Sequence, residues 1–468
     1  MEYDYDVAIV GGGPAGLSVG AELAKLGNRI LLMEKGKIGD TDRAWIVPGS
    51  ILATADASVQ SFAYNGVRRF LEYTPTLSIQ WEAVAPWDSD ERWKCYPYIR
   101  QTELLNHWAD VIRQSKSTVI ENTAYLDHIV EENAVRVRAQ GGQEYRTRML
   151  LDASGYHSSL AQKQRISREG YFWWSVYGYE LEFENTAQLS HPGTLGAMQV
   201  GDYMLWQSFK SSPLDARATL SQLKPIMEYE VLDEKKVFVF ILFFTTDTVE
   251  KSFIKNHLDD LLQRDPDLAA FRTGRVACER FGWYPSGGLS QQCATDRIAF
   301  IGDAGCWTIP AGWGMSFILQ NYRTYAAGLH QLLQDDALDQ INLNRAAVFN
   351  ERQKYEICMD KVVLHFLAYA ESELIDRFTK RMLDTFGGGM LETMFCLQLD
   401  ERQSIDALKA VVREFSITEL AGLLSREREP ELLLTVLAEF AESALIDGIR
   451  RLLGKEREAA GFSFTPLR

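Results

Sequence analysis

A glycine-rich turn near the start of the chain constrains its fold more than any other feature. The apolar run Val7 to Val10 leads into Gly11-Gly-Gly13-Pro14-Ala15-Gly16, and the residues that follow have the apolar spacing of a helix. Glycine permits a tight turn at Gly11, close approach of a phosphate at Gly13, and close packing of helix and strand at Gly16. This order of strand, glycine turn and helix predicts a βαβ unit that binds a dinucleotide.

An acidic residue completes this fingerprint. Glu34 ends the second predicted strand, 18 residues after Gly16. A carboxylate there accepts hydrogen bonds from both ribose hydroxyls of an adenosine and disfavours a 2′-phosphate. The adjacent Lys35 is assigned to the same site. Alone, the segment Gly11 to Glu34 does not distinguish a flavin from a nicotinamide dinucleotide.

Length and composition exclude several classes of protein. The chain has 468 residues, enough for two or three domains, with 46% hydrophobic and 24% charged residues, as in ordinary globular proteins. Its net charge of −15 repels phosphate backbones, so nucleic acid is not an expected partner. The six cysteines are scattered without a CxxC pair, and the seven histidines are equally dispersed, so neither a disulfide framework nor a metal site is expected.

Two further segments with glycine turns follow predicted strands. The second, RMLLDASGYHSS, ends a strand at Asp152 and turns through Ser154 and Gly155. The third, DRIAFIGDAGCWTIPAGWGMSFIL, ends a strand at Gly302 and Asp303 and then enters a helix. The cofactor-binding residues expected in the turn that leads into this helix are Pro310, Gly312, Gly314 and Met315.

With these three segments in this order, the chain resembles a large class of FAD proteins. The class includes p-hydroxybenzoate hydroxylase-like monooxygenases, flavin-dependent halogenases, geranylgeranyl reductases and lycopene cyclases. The resemblance implies that FAD is the cofactor, that Asp303 holds a ribityl hydroxyl, and that the third glycine turn lies beside the flavin pyrimidine ring. It also implies that Arg100 opens a helix near the FAD pyrophosphate, with Arg43 as a second candidate.

Within this class the chain is most similar to the lycopene cyclase branch. GWYPSGGLSQQ resembles an apolar-Pro-x-Gly-Gly stretch of that branch, and WSVYGYELEF resembles one of its strands. In those cyclases the strand corresponding to Phe240 to Asp247 carries paired glutamates, one of which is thought to protonate the polyene. Phe244 and Thr245 stand at those places here, so Asp247 or Glu250 becomes the candidate proton donor.

Aromatic residues dominate the predicted strands between Tyr171 and Trp283, which indicates a second, mainly antiparallel sheet. Alternation places Trp173 and Trp174 on opposite faces, so we expect one face to pack on helices and the other to meet the flavin. The candidates to line a pocket for a flat or elongated apolar substrate are Trp173, Trp174, Tyr177, Tyr179, Trp206, Phe209 and Phe244. Trp307 and Trp313, inside the third glycine turn, are the preferred candidates for substrate contact and, with Asp247, for catalysis.

The predicted fold class is α/β. It combines a Rossmann-like FAD-binding domain of the GR2 type, from residues 1–165 and 285–340, with a substrate-binding domain that is mainly an antiparallel sheet, from 166–284. Residues 341–468 are predicted to form a helical C-terminal region, which caps the pocket, mediates dimerisation or lies peripherally on a membrane. Residues 45–95 show no regular pattern. Because no basic N-terminal leader precedes the first strand, we expect a cytoplasmic enzyme.

Several functions stay open on the sequence. The first is an FAD-dependent oxidoreductase, monooxygenase-like or reductase-like, that acts on a large apolar, polyene or aromatic molecule. The second is a redox-neutral cyclase or isomerase of the lycopene cyclase kind, and the third is a carrier with FAD as a structural ligand. A flavin-dependent halogenase is a further alternative, although the W-x-W-x-I-P signature is absent. No second dinucleotide fingerprint is present, so NAD(P)H is expected to dock transiently, or a partner flavin reductase supplies the electrons.

Overall fold

The described strands form two large sheets and one small sheet. The structure is a computed structural model, and it describes residues 3–40, 44–74, 77–83, 89–90, 96–164, 172–206, 226–245, 248–286, 293–305, 307 and 314–347, with the single residues 373, 376, 377 and 380. Most of the predicted helical C-terminal region therefore lies outside the described residues.

The first sheet has eight strands and a parallel centre. Its main path runs, in order, through Ala294–Thr295, Ile298–Phe300, Glu144–Asp152, Tyr5–Val10, Ile30–Met33 and Thr118–Ile120. Val135–Ala139 pairs antiparallel with Glu144–Asp152, and Tyr125–Val130 pairs antiparallel with Val135–Ala139. Strands buried on both faces read as continuous apolar runs, as Ile30–Met33 does.

Helices cover the first sheet and bury its apolar side chains. The three longest are Pro14–Lys25, Gln101–Arg113 and Gly314–Asp335, whose apolar faces form one core with strand residues such as Ile9. Shorter helices span Gly49–Ala53, Ala57–Gln60, Ser159–Lys163 and Gln340–Ala346. Across the described residues, we find no helix with the length and apolar character that crossing a membrane requires.

The second sheet has seven strands and is mainly antiparallel, as predicted. Its order is Arg275–Ser286, Phe172–Glu182, Lys236–Thr245, Ile226–Val231, Asp202–Trp206, Arg69–Tyr73 and Ser78–Ala83. One neighbouring pair, Asp202–Trp206 with Arg69–Tyr73, is parallel. The helix Lys251–Arg264 and a 3₁₀ helix, Pro266–Thr273, pack on this sheet.

The two faces of the second sheet differ in what covers them. Tyr177 and Tyr179 share a core with Ile254 and Leu258 of the helix Lys251–Arg264, which confirms that one face packs on helices. We call the opposite face the site face. By strand alternation and pairing it carries Phe70, Trp174, Val176, Tyr203, Leu205, Ile226, Glu228, Glu230, Phe240 and Leu242.

Two strands of the second sheet come from a region that the sequence left without regular structure. Arg69–Tyr73 and Ser78–Ala83 join the sheet at one edge, although the sequence of residues 45–95 shows no regular pattern. The predicted domain boundary at residue 165 therefore does not divide the chain between the two sheets. Asp202–Trp206, which pairs in parallel with Arg69–Tyr73, lies more than a hundred residues away along the chain. No local sequence pattern predicts such a pairing.

A buried ionic network fastens this long-range pairing. Arg69 donates from Nε to Oδ1 of Asp202 and from Nη2 to Oδ2, both over 2.6 Å. His191 Nε2 lies 2.7 Å from Oδ2 of Asp202, and its Nδ1 lies 2.8 Å from the hydroxyl of Tyr229. Asp202 is 1% exposed and His191 4%. The network joins the strand Arg69–Tyr73 and the loop that carries His191 to the core of the second sheet.

A small sheet lies against the site face. Its strands are Ala44–Ile46, Tyr96–Arg100 and Ala63–Val67, with Tyr96–Arg100 in the middle. The ring of Phe70 packs edge-on against Tyr96, with 4.8 Å between centroids. Because Tyr96–Arg100 leads directly into the helix Gln101–Arg113 of the first sheet, the small sheet connects the first sheet to the site face.

Candidate functional site

The glycine turn after the first strand is tightly packed at two of its glycines. Gly11 has a φ of +107°, and a Cβ there would lie 2.4 Å from the carbonyl oxygen of Ala153. A Cβ on Gly16 would lie 2.2 Å from the carbonyl oxygen of Gly11. Side chains cannot be accommodated at such distances, so both positions require glycine. These contacts agree with the turn and packing roles predicted for the two residues.

Gly13, in contrast, borders open space. It precedes the helix Pro14–Lys25 with an extended backbone, φ −79° and ψ 179°. Beyond its chain neighbours, no heavy atom of the described residues lies within 4 Å of a Cβ built there. The N–H groups at a helix start bind phosphate through hydrogen bonds and the helix dipole. The space beside Gly13, Pro14 and Ala15 therefore fits the pyrophosphate of FAD.

The carboxylate of Glu34 is held beside this turn. Its Oε2 accepts the N–H of Gly12 over 2.7 Å, and its Oε1 accepts the N–H of Gly36 over 2.9 Å. A carboxylate has about four acceptor positions, so each oxygen retains one for a ribose hydroxyl. The half-buried Glu34 thus fits its predicted role, while the side chain of Lys35 is exposed.

Asp152 does not present its carboxylate to a ligand. It is 0% exposed, and Oδ1 accepts the N–H and the hydroxyl of Ser154 over 2.9 and 2.6 Å. Its Oδ2 accepts the hydroxyl of Ser158. Asp152, Ser154 and Gly155 are predicted to bind the cofactor, and these bonds use the Asp152 carboxylate to shape the turn that ends at Gly155, φ +83°.

Backbone hydrogen bonds bring the three predicted segments together. Ala153 N–H donates to the carbonyl of Val10 over 2.8 Å, and Ile301 N–H donates to the carbonyl of Asp152 over 2.9 Å. Gly302 has a φ of +60°, and a Cβ there would lie 2.9 Å from the Cβ of Ala15. The strand ends of all three segments therefore meet at the start of the helix Pro14–Lys25.

The third segment leads into the helix Gly314–Asp335. Asp303 lies half-buried in the turn Gly302–Gly305, and Met315 is 8% exposed in the first turn of the helix. Within the described part of the chain, the buried hydroxyl of Ser316 has no hydrogen-bond partner. A buried hydroxyl without a partner at a helix start is suited to form a hydrogen bond with the polar edge of a ligand. Pro310, Gly312 and Trp313 lie outside the described residues.

Arg100 opens a helix, as predicted. It is the residue before Gln101–Arg113, and its guanidinium carbon lies 5.1 Å from the ring centroid of Tyr64. Its Nε lies 3.8 Å from a carboxylate oxygen of Glu103. The contact of Arg100 with a pyrophosphate stays a prediction. Arg43 lies outside the described residues.

Trp307 is a core residue. Its side chain is 1% exposed and packs edge-on against Tyr325 and Phe317, with centroids 5.1 and 6.0 Å apart. The backbone N–H of Trp307 donates to the carbonyl of Gly302 over 2.9 Å. The prediction that Trp307 contacts the substrate is corrected, because its ring lies in the core beneath the glycine turn. Asp247, the other candidate catalytic residue with Trp313, lies outside the described residues.

The second sheet adjoins the second segment at one end. Tyr156, directly after Gly155, packs edge-on against Trp173 with 4.3 Å between centroids. His157 stacks on the same ring at 6.5 Å. Trp173 pairs in register with Thr245 and, on the other side, with Pro285. This end of the sheet therefore lies next to the cofactor-binding turns.

The candidate pocket residues divide between the two faces. Tyr177, Tyr179 and Trp206 belong to the core on the helix side, which removes them from a pocket on the site face. Trp174 lies on the site face with Ile226, beside half-buried apolar side chains: Val176, Leu205 and Leu242. Phe209 and the side chain of Phe244 lie outside the described residues.

Two glutamates of one strand, Ile226–Val231, project from the site face. The hydroxyl of Tyr203, on the neighbouring strand, donates to Oε2 of Glu228. The hydroxyl of Tyr98, in the small sheet, donates to Oε2 of Glu230 over 2.9 Å. Glu228 is half-buried and Glu230 is 9% exposed. We call Glu228 and Glu230 the carboxyl pair.

Both carboxyls of the pair hold their protons unusually strongly. Burial raises the pKa of Glu228 to about 7; the Tyr203 hydroxyl lowers it in part, and the charge of Glu230 raises it. Burial also raises the pKa of Glu230 to about 7, against a smaller lowering by the Tyr98 hydroxyl. Desolvation disfavours the charged form of an acid, and a second carboxylate nearby adds to the effect. Near neutral pH the pair therefore exchanges protons readily.

Comparison with known proteins identifies the family. The family model described as lycopene cyclase protein matches residues 6–239, half of the chain. The chain belongs to the lycopene cyclase family. A search of curated protein sequences found no match.

Solved structures of FAD proteins share the fold. A geranylgeranyl bacteriochlorophyll reductase-like protein from Thermoplasma acidophilum has a TM-score of 0.62 and 17% identity, covering 90% of this chain and 99% of its own. The halogenase PltM, solved in complex with phloroglucinol and FAD, has a TM-score of 0.61 and 13% identity, covering 97% and 93%. The p-nitrophenol 4-monooxygenase PnpA from Pseudomonas putida has a TM-score of 0.60 and 14% identity, covering 88% and 99%. The predicted Rossmann-like FAD-binding fold is confirmed.

The carboxyl pair went unnoticed in the sequence, which pointed to other acids. Glu250, one of those proposed to replace the missing proton donor of the lycopene cyclase family, is exposed immediately before the helix Lys251–Arg264. The signal for the pair was available: in IMEYEV, acids alternate with apolar residues that the other face buries. That pattern is also typical of a strand whose acidic face is exposed to solvent. Only the small sheet, which lies against the site face, shows that this strand is covered.

Replacing Glu228 with glutamine should stabilise the protein at alkaline pH. The folded pKa of about 7 lies above the ordinary 4.5, so the carboxyl's contribution to stability is full below pH 4.5 and is lost as pH rises to 7. The variant avoids that loss, which is up to about 3 kcal/mol. Urea unfolding at pH 8 and pH 5 measures it. We expect the variant to exceed the wild type only at pH 8, and equal gains at both pH values would contradict the shift.

Proposed function

We propose that the protein is an FAD-dependent oxidoreductase that acts on a large apolar substrate of the polyene or aromatic class. One observation carries the proposal: three cofactor-binding turns converge beside the end of an aromatic sheet whose site face offers half-buried apolar side chains. Val176, Leu205 and Leu242 provide that surface. Apolar walls with a few converging polar groups are typical of small-molecule sites.

The residues of the cofactor site have separate tasks in this proposal. The helix start at Gly13 binds the pyrophosphate, Glu34 orients the adenosine ribose, and the turn containing Asp303 holds the ribityl chain. When bound, FAD supplies two-electron redox chemistry. The start of the helix Gly314–Asp335 stabilises negative charge at the pyrimidine edge of the ring. NAD(P)H or a partner reductase is the proposed electron source.

A redox-neutral cyclase or isomerase is the second candidate. The carboxyl pair favours it, since rearrangement of a polyene begins with a proton and ends with the loss of one. Family membership also favours it. Phe244 and Thr245, at the places of the family's paired glutamates, argue against the familiar arrangement, so such a reaction would depend on acids from another strand.

A single-turnover experiment tests the proposal and separates the candidates. Holoprotein reduced by dithionite is mixed with lycopene or 2-naphthol, first under nitrogen and then in air, while flavin absorbance and product mass are recorded. We expect flavin reoxidation coupled to a product that gains two hydrogen atoms or one oxygen atom. An isomer of unchanged mass with the flavin still reduced would support the cyclase. Protein that binds no FAD, or that leaves both probes unchanged, would overturn both.

A further inference from the structure

The carboxyl pair has a position that structural needs do not explain. Burying two neighbouring carboxyls is costly, and apolar side chains of similar size usually give a more stable protein. In the described part of the chain, the partners of Glu228 and Glu230 are tyrosine hydroxyls, and neither carboxyl makes an ion pair. Strongly perturbed acids in such a setting occur most often where a protein performs chemistry.

The surroundings of the pair differ along the strand. Glu228 is opposite Leu205 and Phe240 on its two neighbouring strands, and Ile226 lies two residues before it on the same face. These residues continue toward Trp174 and Leu242, at the sheet end that adjoins the cofactor turns. Glu230 is deeper, below Tyr98 of the small sheet. Glu228 is therefore the member of the pair that borders the apolar surface.

We propose that Glu228 is the catalytic acid of this enzyme, which delivers a proton to an apolar substrate on the site face, and that Glu230 is a positioning residue which keeps Glu228 protonated. This assignment rests on the proposed function. The family's paired glutamates belong to the strand Lys236–Thr245, whereas these residues belong to the neighbouring strand.

The first step is the same for a reduction and for a cyclisation. The O–H bond of Glu228 breaks, a C–H bond forms on the substrate, and a carboxylate remains. In a reduction, bound FAD in its reduced form would supply the hydride equivalent that balances this proton, and Glu228 takes a new proton from solvent. In a cyclisation, the substrate cation loses a proton to the carboxylate, so neither electrons nor protons are consumed.

The electrostatic neighbours of the pair are few. Tyr203 faces both carboxyls from the strand Asp202–Trp206, and Tyr98 faces Glu230 from the small sheet. Glu72, fully buried, lies on the site face of the next strand, Arg69–Tyr73, opposite Leu205. Phe238 and Phe240 face the pair from the other neighbouring strand. Among the described residues, the groups that shift the pKa of Glu228 are Tyr203 and Glu230, and no cation is one of them.

Infrared titration tests the pair without a substrate. Difference spectra of the holoprotein between pH 5 and pH 9 should contain the C=O band of a buried carboxylic acid that titrates near neutral pH. Glu228→Gln should remove this band, and Glu230→Gln should move its titration to lower pH because a neighbouring negative charge is lost. Glu182→Gln, on an exposed strand position paired with Arg275, is the control and should leave the band unchanged. Persistence of the band in Glu228→Gln would overturn the assignment.

Single-turnover kinetics test the catalytic role. Glu228→Gln should slow product formation at least about 100-fold, the usual contribution of a general acid. Glu230→Gln should shift the alkaline limit of the pH–rate profile to lower pH, and Glu230→Asp should partly restore it. If the probes are converted by Glu228→Gln at the wild-type rate, the acid assignment fails and the proposed function stands. If no probe is converted but the infrared titration is observed, the proposed function fails. The conclusion that the carboxyl pair titrates near neutral pH then still holds.

Discussion

Replacing Gly13 with valine should abolish FAD binding while leaving the apoprotein folded. The extended backbone of Gly13 suits a β-branched residue, and no neighbouring atom lies within 4 Å of its Cβ position. The new side chain would fill the space that the pyrophosphate needs at the helix start. We expect affinity for FAD to fall at least about 100-fold, because the phosphate contacts at this helix start would be lost. Flavin absorbance after desalting and titration of the apoprotein with FAD measure the loss.

Two further glycine variants sharpen this experiment. Gly11→Ala should impair folding and FAD binding together, since its Cβ would collide with the carbonyl of Ala153 and its φ is +107°. Gly328→Ala, in the helix Gly314–Asp335 and 3.8 Å from the nearest side-chain atom, should change neither. A Gly13→Val variant that retains stoichiometric FAD would show that the pyrophosphate binds elsewhere. An unfolded Gly13→Val apoprotein would contradict the open space seen beside this residue.

Asp202→Asn should destabilise the second sheet by about 3 kcal/mol, because it removes the buried carboxylate that pairs with the half-buried guanidinium of Arg69. Burial alone would raise the pKa of Asp202, but hydrogen bonds from His191, Arg69 and Gln199 lower it below the ordinary 3.8. The stability that this carboxylate provides is thus present above pH 3.8 and is lost as pH falls through the lowered pKa. Urea unfolding at pH 7 measures the difference between the variant and the wild type.

The matched control for this variant is Asp127→Asn. Asp127 is an exposed carboxylate whose ion pair with Lys163 spans 3.2 Å at the protein surface. Surface ion pairs contribute little to stability, so we expect no measurable change. Equal unfolding midpoints for Asp202→Asn and the wild type would refute the idea that the network holds the strand Arg69–Tyr73 in the sheet.

The three glycine turns were largely readable from the sequence, and the arrangement of the second sheet was not. The glycines of the three segments could be assigned because the demand for glycine is local: a positive φ or a close backbone contact excludes other residues. The role of Asp152 could not, since its three hydrogen bonds use turn geometry that only the fold reveals. Trp307 was misjudged for a similar reason, as a ring beside a glycine turn can point outward or into the core.

The carboxyl pair shows the same limit more clearly. Its partners, Tyr98 and Tyr203, come from two other strands, one in a different sheet. Neither spacing nor composition near the pair indicates that Tyr98 of the small sheet lies over Glu230. An acid that alternates with apolar residues is usually solvated, and its proton affinity follows from burial, which is a property of the assembled fold.

The sequence by itself determined the α/β fold with a second, aromatic sheet, and it predicted that separated glycine turns bind a dinucleotide. Backbone requirements at single positions and the alternation of apolar residues carry that information. The tertiary structure decided that Arg69–Tyr73 completes the second sheet, that Trp307 belongs to the core, and that Glu228 and Glu230 share a buried surface. Each of these depends on contacts between residues far apart in the chain. Such contacts contribute to the free energy of folding only once the strands have paired.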